Sequence, residues 1–174
     1  MKASEEIRGK AAKVLMLVMD VDGTMTDGRI NIGPNGELFK SFSAKDGLGI
    51  SLWHAAGRKS AIITGRNSAI VTHRAEELGI TCVCQGVQDK RVAWQQIKET
   101  YGFSDEQMAY VGDDLNDLPA LRLAGLACCP ADAHPTVKEM AHFVAPHAGG
   151  AGAIRDVVEL LMNSQNKILS SNRP

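Results

Sequence analysis

The sequence predicts an α/β fold in which helices cover both faces of a doubly wound, Rossmann-like parallel sheet. Short apolar segments alternate with longer amphipathic segments along nearly the whole chain, which is typical of this fold class. The first apolar segment, residues 14–19, contains no polar side chain, as expected for a strand buried on both faces of a parallel sheet. The length of 174 residues fits one domain spanning residues 1–174.

Six strands and six helices are predicted in order. The strands are residues 14–19, 60–63, 80–83, 108–111, 126–128 and 143–144. The helices are residues 47–56, 68–78, 89–101, 117–124, 135–140 and 153–162. A capping-box sequence at residues 104–107 predicts one extra turn before the fourth strand. The polar ends are expected to be flexible around a core of residues 13–162.

The composition excludes several classes of protein. Hydrophobic residues make up 44% and charged residues 22%, which is a globular balance, and the net charge of −1 offers no basic field for nucleic acid or an anionic membrane. The first apolar run is far shorter than the roughly 20 residues that span a bilayer, and no signal-peptide cleavage site follows it. The cysteines, at positions 82, 84, 128 and 129, match neither a zinc motif nor a disulfide framework. We therefore expect a cytoplasmic protein with reduced thiols.

Residues 28–42 interrupt the alternation with a predicted β-hairpin. Two strand-like segments flank Gly33-Pro34-Asn35-Gly36, and Asn-Gly between such segments is a strong hairpin signal. An isolated hairpin is only marginally stable in water, so this one is expected to pack on another surface. It is either a flap on its own domain or an oligomerisation element.

Polar side chains follow the predicted strands. In open α/β sheets the ligand lies beyond the carboxyl ends of the strands, so the residues that follow each strand are candidates for a site. Two carboxylates two positions apart in extended chain point the same way, and their repulsion calls for a cation or a shared proton. The residues collected at this rim are Asp20, Asp22, Thr64, Lys90, Asp113 and Asp117.

This set of side chains is suited to phosphoryl transfer. Oxygen ligands at this density favour a hard cation, of which Mg²⁺ is the usual one where phosphate is handled. A carboxylate can act as the nucleophile, a neighbouring acid can protonate the leaving oxygen, and Lys90 and Thr64 can stabilise the transferring group. A calcium loop is the alternative for the first acidic pair, but its twelfth position is Asn31 instead of the required Glu. Asp114 is interpreted as a surface acid or a helix cap.

The residues resemble the four motifs of the haloacid-dehalogenase superfamily of phosphotransferases. The motifs occur in order as Asp20-Val-Asp22-Gly-Thr, Thr64, Lys90 and Gly-Asp113-Asp-x-x-Asp117, and the resemblance covers about residues 13–162. It implies that Asp20 is the nucleophile and Asp22 the general acid and base, with Thr64 and Lys90 also in the catalytic set. It also implies a Mg²⁺ site formed by Asp20, the main-chain carbonyl of Asp22, and Asp113, with Asp117 in support.

The chain resembles the capless subclass of this superfamily, because the segments between the motifs leave no room for a cap domain. A hairpin after the first motif makes it similar to the 3-deoxy-D-manno-octulosonate 8-phosphate phosphatases, which act in lipopolysaccharide precursor synthesis. That family implies a homotetramer with the hairpin at the interface. It also implies substrate contacts from Asp22, Ser43, Ala44, Lys45, Asp46, Gly47, Arg66, Arg74 and Lys90.

Two arginines suit a substrate that carries both phosphate and carboxylate, since each forked guanidinium matches either group. Arg66 and Arg74 are eight positions apart, about two helical turns, so they are expected to share a helix face. The chain departs from the enterobacterial members of that family, which have arginine where it has Lys45 and Ser51.

Two alternative functions remain open from the sequence. One is hydrolysis of a nine-carbon, sialic-acid-type 9-phosphate by the same mechanism. The other is a non-hydrolytic, receiver-like phosphoacceptor module, which also combines acidic residues, Thr and Lys on a doubly wound sheet. In a receiver, however, the phosphoacceptor follows the acidic pair, whereas here a complete acidic cluster follows Lys90.

Overall fold

Six parallel strands form the central sheet, which confirms the predicted fold class. The computed structural model describes residues 3–166. Its strands are β1 (Met16–Met19), β2 (Asn31–Gly33), β3 (Gly36–Phe39), β4 (Lys59–Ile63), β5 (Cys82–Cys84), β6 (Met108–Val111), β7 (Leu126–Cys129) and β8 (Phe143–Val144). Its helices are α1 (Glu5–Lys13), α2 (Ala44–Ala55), α3 (Ala69–Leu78), α4 (Lys90–Tyr101), α5 (Leu118–Leu121), α6 (Pro135–Met140) and α7 (Ala153–Ser164).

The sheet has the strand order β5-β4-β1-β6-β7-β8, so the first strand, β1, lies near its centre. From β1 it moves outward to β4 and β5, then returns across the sheet to β6 on the other side of β1. This reversal creates a topological switch point beside the carboxyl end of β1, which is where open α/β sheets bind ligands. The fold therefore directs the residues that follow β1 and β6 into one crevice.

The two faces of the sheet carry separate apolar cores. Leu17 and Met19 of β1 pack into a core with the buried faces of α1, α2, α3 and α7. Met16 and Val18, which alternate with them, pack into the opposite core with α4, α5 and α6. Successive side chains of a strand point to opposite faces. β1 therefore contains no polar residue, because both of its faces are covered by helices.

Several element bounds differ from the prediction. The polar segment before β1, which was expected to be a flexible arm, contains α1, with Ser4 as its N-cap, two glutamates in its first turn and lysines in its last turn. The helix predicted for residues 117–124 is shorter, because a 3-10 turn (Leu115–Asp117) precedes the four residues of α5. The predicted flexible end from residue 163 onward begins inside α7, and residues 167–174 lie outside the described residues.

The predicted hairpin is formed by β2 and β3, which pair around Pro34 and Asn35. Gly36 has a φ of 108°, in the left-handed region that favours glycine, so this position needs the residue found there. The hairpin exposes three large apolar side chains: Ile32, Leu38 and Phe39. Between β1 and β4 the chain forms only this hairpin and α2, and between β4 and β5 only α3, so no cap domain is inserted. Within residues 3–166, no helix has the length and apolarity needed to cross a bilayer.

Candidate active site

Asp20 lies directly beyond β1 and is bonded to a buried lysine. Its backbone N–H donates to the carbonyl of Val111 (2.9 Å), which continues the pairing of β1 with β6 past the end of the strand. Its Oδ1 accepts from Lys90 Nζ at 2.6 Å, and the lysine side chain is only 2% exposed. Lys90 is the first residue of α4, whose N-cap is Asp89. The start of α4 therefore fixes the ammonium group beside the Asp20 carboxylate.

Asp117 is a fully buried carboxylate that four donors saturate. Its Oδ1 accepts from Lys90 Nζ (2.6 Å) and from the Tyr110 hydroxyl (2.7 Å). Its Oδ2 accepts from the backbone N–H groups of Asp113 (2.9 Å) and Asp114 (3.1 Å). A ligating role would cost Asp117 some of these bonds. The geometry makes it a fixed support for Lys90 and for the loop after β6.

Asp113 lies across from the loop that follows β1. Thr24 Oγ1 donates to Asp113 Oδ1 at 2.9 Å and joins the two loops. Gly23, with a φ of 93°, lies against the Asp113 carboxyl group, and a Cβ at this position would overlap it. Asp114 caps the 3-10 turn through Leu115 N (2.7 Å), in agreement with its interpretation as a cap.

Thr64 is buried at the end of β4, on the other side of β1 from Asp113. Its N–H donates to the carbonyl of Cys84 (2.9 Å), and its own carbonyl accepts from Val87 N (3.1 Å). The backbone of Thr64 is thereby fixed between β4 and the loop that follows β5. All six rim residues predicted from the sequence lie at the carboxyl ends of β1, β4 and β6 or at the start of α4.

Burial and mutual repulsion disfavour negative charge in this cluster. Burial, together with the neighbouring Asp117, raises the pKa of Asp20 to about 7 against the lowering effect of Lys90. Burial likewise raises the pKa of Asp113 to about 7, against the hydrogen bond from Thr24. Burial alone would lower the pKa of Lys90, but Asp20 and Asp117 outweigh it and raise that pKa. The cluster therefore holds a cation at Lys90 and has carboxylates that a second cation would stabilise.

The carboxylates fit a hard divalent cation. One carboxylate oxygen from each of Asp20, Asp113 and Asp117 lies within 4.8 Å of the other two. Lys90 bonds only Oδ1 of Asp20, and Thr24 bonds only Oδ1 of Asp113. The second oxygen of each aspartate is therefore left for a metal ion. An all-oxygen set of this kind suits Mg²⁺. The predicted contribution of the Asp22 main-chain carbonyl stays a prediction.

The carboxylate of Asp22 faces the hairpin. Lys40, which directly follows β3, donates to Asp22 Oδ1 and also pairs with Glu37 Oε1 (3.0 Å). Glu37 in turn accepts from the Ser68 hydroxyl, so a continuous polar chain connects the loops after β1 and β4 through the hairpin. Burial alone would lower the pKa of Lys40, but Asp22 and Glu37 raise it. Arg66 Nε lies 3.9 Å from Asp22 Oδ2.

Sequence reasoning missed Lys40, Glu37 and Tyr110. A lysine or glutamate in a hairpin strand is usually solvated, and no local signal marks Lys40 as a residue whose side chain is 2% exposed. Tyr110 lies within the apolar segment that becomes β6, where a tyrosine has the pattern of a core residue. A signal existed for Tyr110, because a buried tyrosine hydroxyl needs a partner.

The predicted substrate contacts at the start of α2 differ in accessibility. Ser43 is the N-cap of α2, where its Oγ accepts from Asp46 N (3.3 Å), and Ala44 and Lys45 are exposed. Asp46 is buried, and its Oδ1 accepts from Arg155 N (2.8 Å) at the start of α7. The Asp46 carboxylate therefore joins α2 to α7 through Oδ1, and its predicted contact with the substrate stays a prediction.

The expectation that Arg66 and Arg74 share a helix face is wrong. Ser68, in extended conformation, caps α3, so the helix begins at Ala69 and Arg66 lies in the preceding loop. Arg74 is on α3, where its guanidinium lies over the Phe42 ring and bonds Glu77 (2.7 Å). Helical spacing does not apply across an N-cap. Gly47 lies against the Arg74 guanidinium, where a side chain would collide with it.

A glycine-rich loop before α7 supports the loop that carries Asp20 and Asp22. Gly149 lies against the Gly23 carbonyl so closely that a Cβ would overlap it, and Gly150 N donates to the Thr24 carbonyl (3.1 Å). Gly149 N donates to Asp132 Oδ1 (2.9 Å). Since these two N–H groups bond protein oxygens, the loop acts here as a structural support, and the two amides are not free for an anion.

Comparison with known proteins is consistent with this geometry. The profile of the haloacid dehalogenase-like hydrolases matches residues 83–157. The 3-deoxy-D-manno-octulosonate 8-phosphate phosphatase of Yersinia pestis is 41% identical over 165 residues, which are 95% of this chain and 88% of that protein.

Two solved structures are similar over nearly the whole chain. A crystal structure of the Yersinia pestis phosphatase aligns with a TM-score of 0.92 at 42% identity and covers 94% of this chain and 88% of that one. The phosphatase of Moraxella catarrhalis, crystallised with magnesium, phosphate and the octulosonate, aligns with a TM-score of 0.90 at 39% identity and covers 92% of each chain.

Proposed function

From the premise that this chain belongs to the phosphatases of the haloacid dehalogenase-like hydrolase family, we propose that it hydrolyses 3-deoxy-D-manno-octulosonate 8-phosphate. The products are the free sugar acid and phosphate, and the pathway is lipopolysaccharide precursor synthesis. The observation that carries the proposal is the buried Asp20–Lys90–Asp117 cluster beside Asp113, in a chain 41% identical to that phosphatase over 95% of its length. Membership of a hydrolase family removes the receiver-like alternative.

Asp20 is the proposed nucleophile. Its carboxylate attacks phosphorus, the bond to the sugar oxygen breaks, and an aspartyl-phosphate forms on Asp20. Lys90 holds Oδ1 of that carboxylate at 2.6 Å, which orients it and offsets the charge of the incoming phosphoryl group. Thr64, whose backbone is fixed at the end of β4, is proposed to donate a hydrogen bond to the same group.

Asp22 is the proposed general acid and base. Its carboxyl group gives its proton to the sugar oxygen as that oxygen leaves, and it then removes a proton from the water that hydrolyses the aspartyl-phosphate. Asp20 and Asp113, with the main-chain carbonyl of Asp22, are the residues proposed to hold Mg²⁺, and Asp117 supports them. The ion supplies positive charge that neutralises the phosphoryl oxygens when it is bound.

Arg66 is the proposed contact for an anionic group of the substrate. Its side chain is 53% exposed beside Asp22, so it is free to turn toward a carboxylate or phosphate. The other proposed contacts are Asp22, Ser43, Ala44, Lys45, Asp46, Gly47, Arg74 and Lys90. Lysine at position 45 presents a point charge where the family pattern has a guanidinium fork.

Phosphate release from a panel of sugar phosphates tests the proposed function. We expect Mg²⁺-dependent release with a strong preference for the octulosonate 8-phosphate over nine-carbon 9-phosphates and hexose phosphates. Preference for a nine-carbon acid would keep the mechanism and replace the substrate. If no ester releases phosphate and a stable phosphoprotein forms instead, that result would contradict the assignment as a phosphatase.

The hairpin is proposed to be the contact surface of a homotetramer. Ile32, Leu38 and Phe39 are 70%, 60% and 54% exposed, which is unusual for three large apolar side chains on one small element. Replacing all three with serine is expected to lower the mass measured by light scattering. Val92→Ser, at a side chain that is 56% exposed on α4, is the matched control and should leave the mass unchanged. An unchanged mass in the triple variant would contradict this assembly.

A further inference from the structure

We infer that Lys40 is the positioning residue for Asp22, and that through it the hairpin controls protonation of the leaving group. The inference rests on the proposed function, because it assigns Lys40 a part in the step that Asp22 performs there. Lys40 does not act on the phosphoryl group itself. It acts by holding the carboxyl group that meets the sugar oxygen.

Burial and contacts single out Lys40 among the lysines outside the Asp20 cluster. Its side chain is 2% exposed, although it follows an exposed hairpin strand. It bonds Asp22 Oδ1 and Glu37 Oε1, whose side chains are 18% and 21% exposed. Lysine side chains are seldom buried unless they are paired, so these two carboxylates account for its position.

The contact with Lys40 distinguishes the two oxygens of Asp22. Lys40 bonds Oδ1, and Oδ2 lies toward Arg66 at 3.9 Å, a distance too long for a hydrogen bond. One oxygen is therefore anchored to the hairpin and the other is left for the substrate. Since a carboxyl group anchored at one oxygen turns less freely, Lys40 defines where the other oxygen lies.

The anchor extends beyond Lys40 to a second loop of the site. Glu37 accepts from the Ser68 hydroxyl, and Ser68 caps α3 directly after the loop that carries Thr64 and Arg66. Asp22 is thus oriented relative to β4 as well as to β1. The hairpin bridges the two strand ends between which a phosphorylated substrate would lie.

The step that Lys40 supports is cleavage of the ester. As the bond between phosphorus and the leaving oxygen breaks, Asp20 forms the new bond to phosphorus and Asp22 transfers its proton to the leaving oxygen. Leaving groups of low basicity depart without that proton, whereas alkoxides and weakly acidic phenols need it. The loss of rate caused by a misplaced Asp22 must therefore increase with the basicity of the leaving group.

A series of aryl phosphates, from 2,4-dinitrophenyl to phenyl phosphate, tests the inference in the full chain with Mg²⁺ present. The measured quantity is kcat/KM, which reports the steps up to loss of the leaving group. These esters lack the sugar acid, so a lost sugar contact does not affect the comparison. We expect Lys40→Met to lower kcat/KM about 10- to 100-fold for phenyl phosphate and less than about 3-fold for the dinitrophenyl ester, since a positioned acid contributes roughly 10²–10⁴-fold.

Matched variants control for structure and charge. Lys13→Met makes the same chemical change at an exposed lysine that pairs with Glu106, and it should leave the whole series unchanged. Lys40→Arg, which keeps the charge, should restore part of the loss for phenyl phosphate. If Lys40→Met does not fold, Lys40→Gln makes the same test, because its amide still has a donor for Glu37.

The outcomes separate the inference from the proposed function. Equal losses across the series, or none, would overturn the role of Lys40 and leave the phosphatase assignment intact. A wild-type protein that cleaves neither these esters nor the octulosonate 8-phosphate would overturn both. A loss that increases steadily with leaving-group basicity supports the inference, because a purely structural defect would lower every rate alike.

Discussion

Lys90 and Lys40 are both buried lysines that bridge two carboxylates, yet they belong to regions of different character. Each side chain is 2% exposed. The carboxylates on Lys90, from Asp20 and Asp117, are 8% and 0% exposed, whereas those on Lys40, from Asp22 and Glu37, are 18% and 21% exposed. The first region is enclosed by the sheet and α4, and the second is attached through a two-stranded hairpin at the surface.

The difference indicates how the site divides its tasks. The proposed nucleophile is fixed by the elements that also form the core, so its position is as stable as the fold. The proposed acid and base is held by a surface element, which can shift without unfolding the sheet. The following predictions test this division, from the largest expected effect to the smallest.

Asp20→Asn is expected to abolish turnover. The amide is a far weaker nucleophile than the carboxylate, and loss of a catalytic nucleophile costs on the order of 10⁴–10⁶-fold in kcat. Phosphate release from the preferred substrate measures the loss. Asp27→Asn, at a residue that is 45% exposed, is the matched control and should keep its activity. Retained activity in Asp20→Asn would remove Asp20 as the nucleophile.

Lys90→Met is expected to destabilise the metal-free protein at pH 8 more than Lys40→Met does. Removing Lys90 leaves buried carboxylates without their cation, which costs about 3–5 kcal/mol of unfolding free energy. Removing Lys40 should cost about 1–2 kcal/mol, because water reaches its carboxylates. Urea unfolding in the presence of a chelator measures both, with the exposed Lys13→Met as control. Equal costs for the two buried lysines would contradict the proposed division.

The comparison also explains which parts of the site the sequence predicts. Asp20, Thr64 and Asp113 follow apolar segments, and the geometry of a parallel sheet brings the ends of such segments together. Lys40 has no equivalent signal, because its burial depends on how the hairpin folds back across the rim. Helix α1 was missed for a different reason. Its polar residues obscured a clear Ser4 cap and a favourable charge distribution at its two ends.

Metal-free protein is expected to lose stability as the pH rises from 5 to 8. Asp20 and Asp113 have pKa values of about 7 in the folded chain, raised from the usual 3.8 chiefly by burial. The folded state therefore binds protons more tightly than the unfolded state, and the stability that these protons contribute is lost as the pH approaches and passes 7. The loss should reach a few kcal/mol.

Thermal unfolding from pH 5 to 8, with a chelator or with Mg²⁺, measures this dependence. Mg²⁺ should stabilise the protein more at pH 8 than at pH 5, because the ion and protons compete for the same carboxylates. His54 and His142, whose pKa values burial lowers from 6.5, change the stability in the opposite direction and reduce the net slope. The slope should be smaller in Asp20→Asn, which lacks one of the two groups. A metal-free protein that becomes more stable between pH 5 and 8 would contradict the prediction.

Ser68→Ala is expected to have a modest effect, and its comparison with Ser4→Ala isolates the attachment of the hairpin. Ser68 has two roles, since its Oγ accepts from Val71 N (3.3 Å) as the cap of α3 and its hydroxyl donates to Glu37. Ser4 has only the first role, because its Oγ accepts from Ile7 N at the same 3.3 Å as the cap of α1. Ser4→Ala should thus cost about 0.5–1 kcal/mol of unfolding free energy, as the loss of an N-cap does. Ser68→Ala should cost about 1–2 kcal/mol more, because it also removes a hydrogen bond to a carboxylate.

The difference between the two serine variants, measured by urea unfolding, is the free energy that connects the hairpin to the loop after β4. If it is close to zero, the bond between Ser68 and Glu37 contributes no measurable attachment, and the hairpin is then attached to the rim only through the bond between Lys40 and Asp22. If it is positive, as we expect, the hairpin is attached at both strand ends. Repeating the Ser68→Ala and Ser4→Ala measurements in a Glu37→Gln background separates the capping role of Ser68 from its bond to Glu37. Only Ser68→Ala should then cost less unfolding free energy than before. A surface element attached by a few polar bonds is thus expected to orient the proposed acid and base, yet to open at lower cost than the cluster around Lys90.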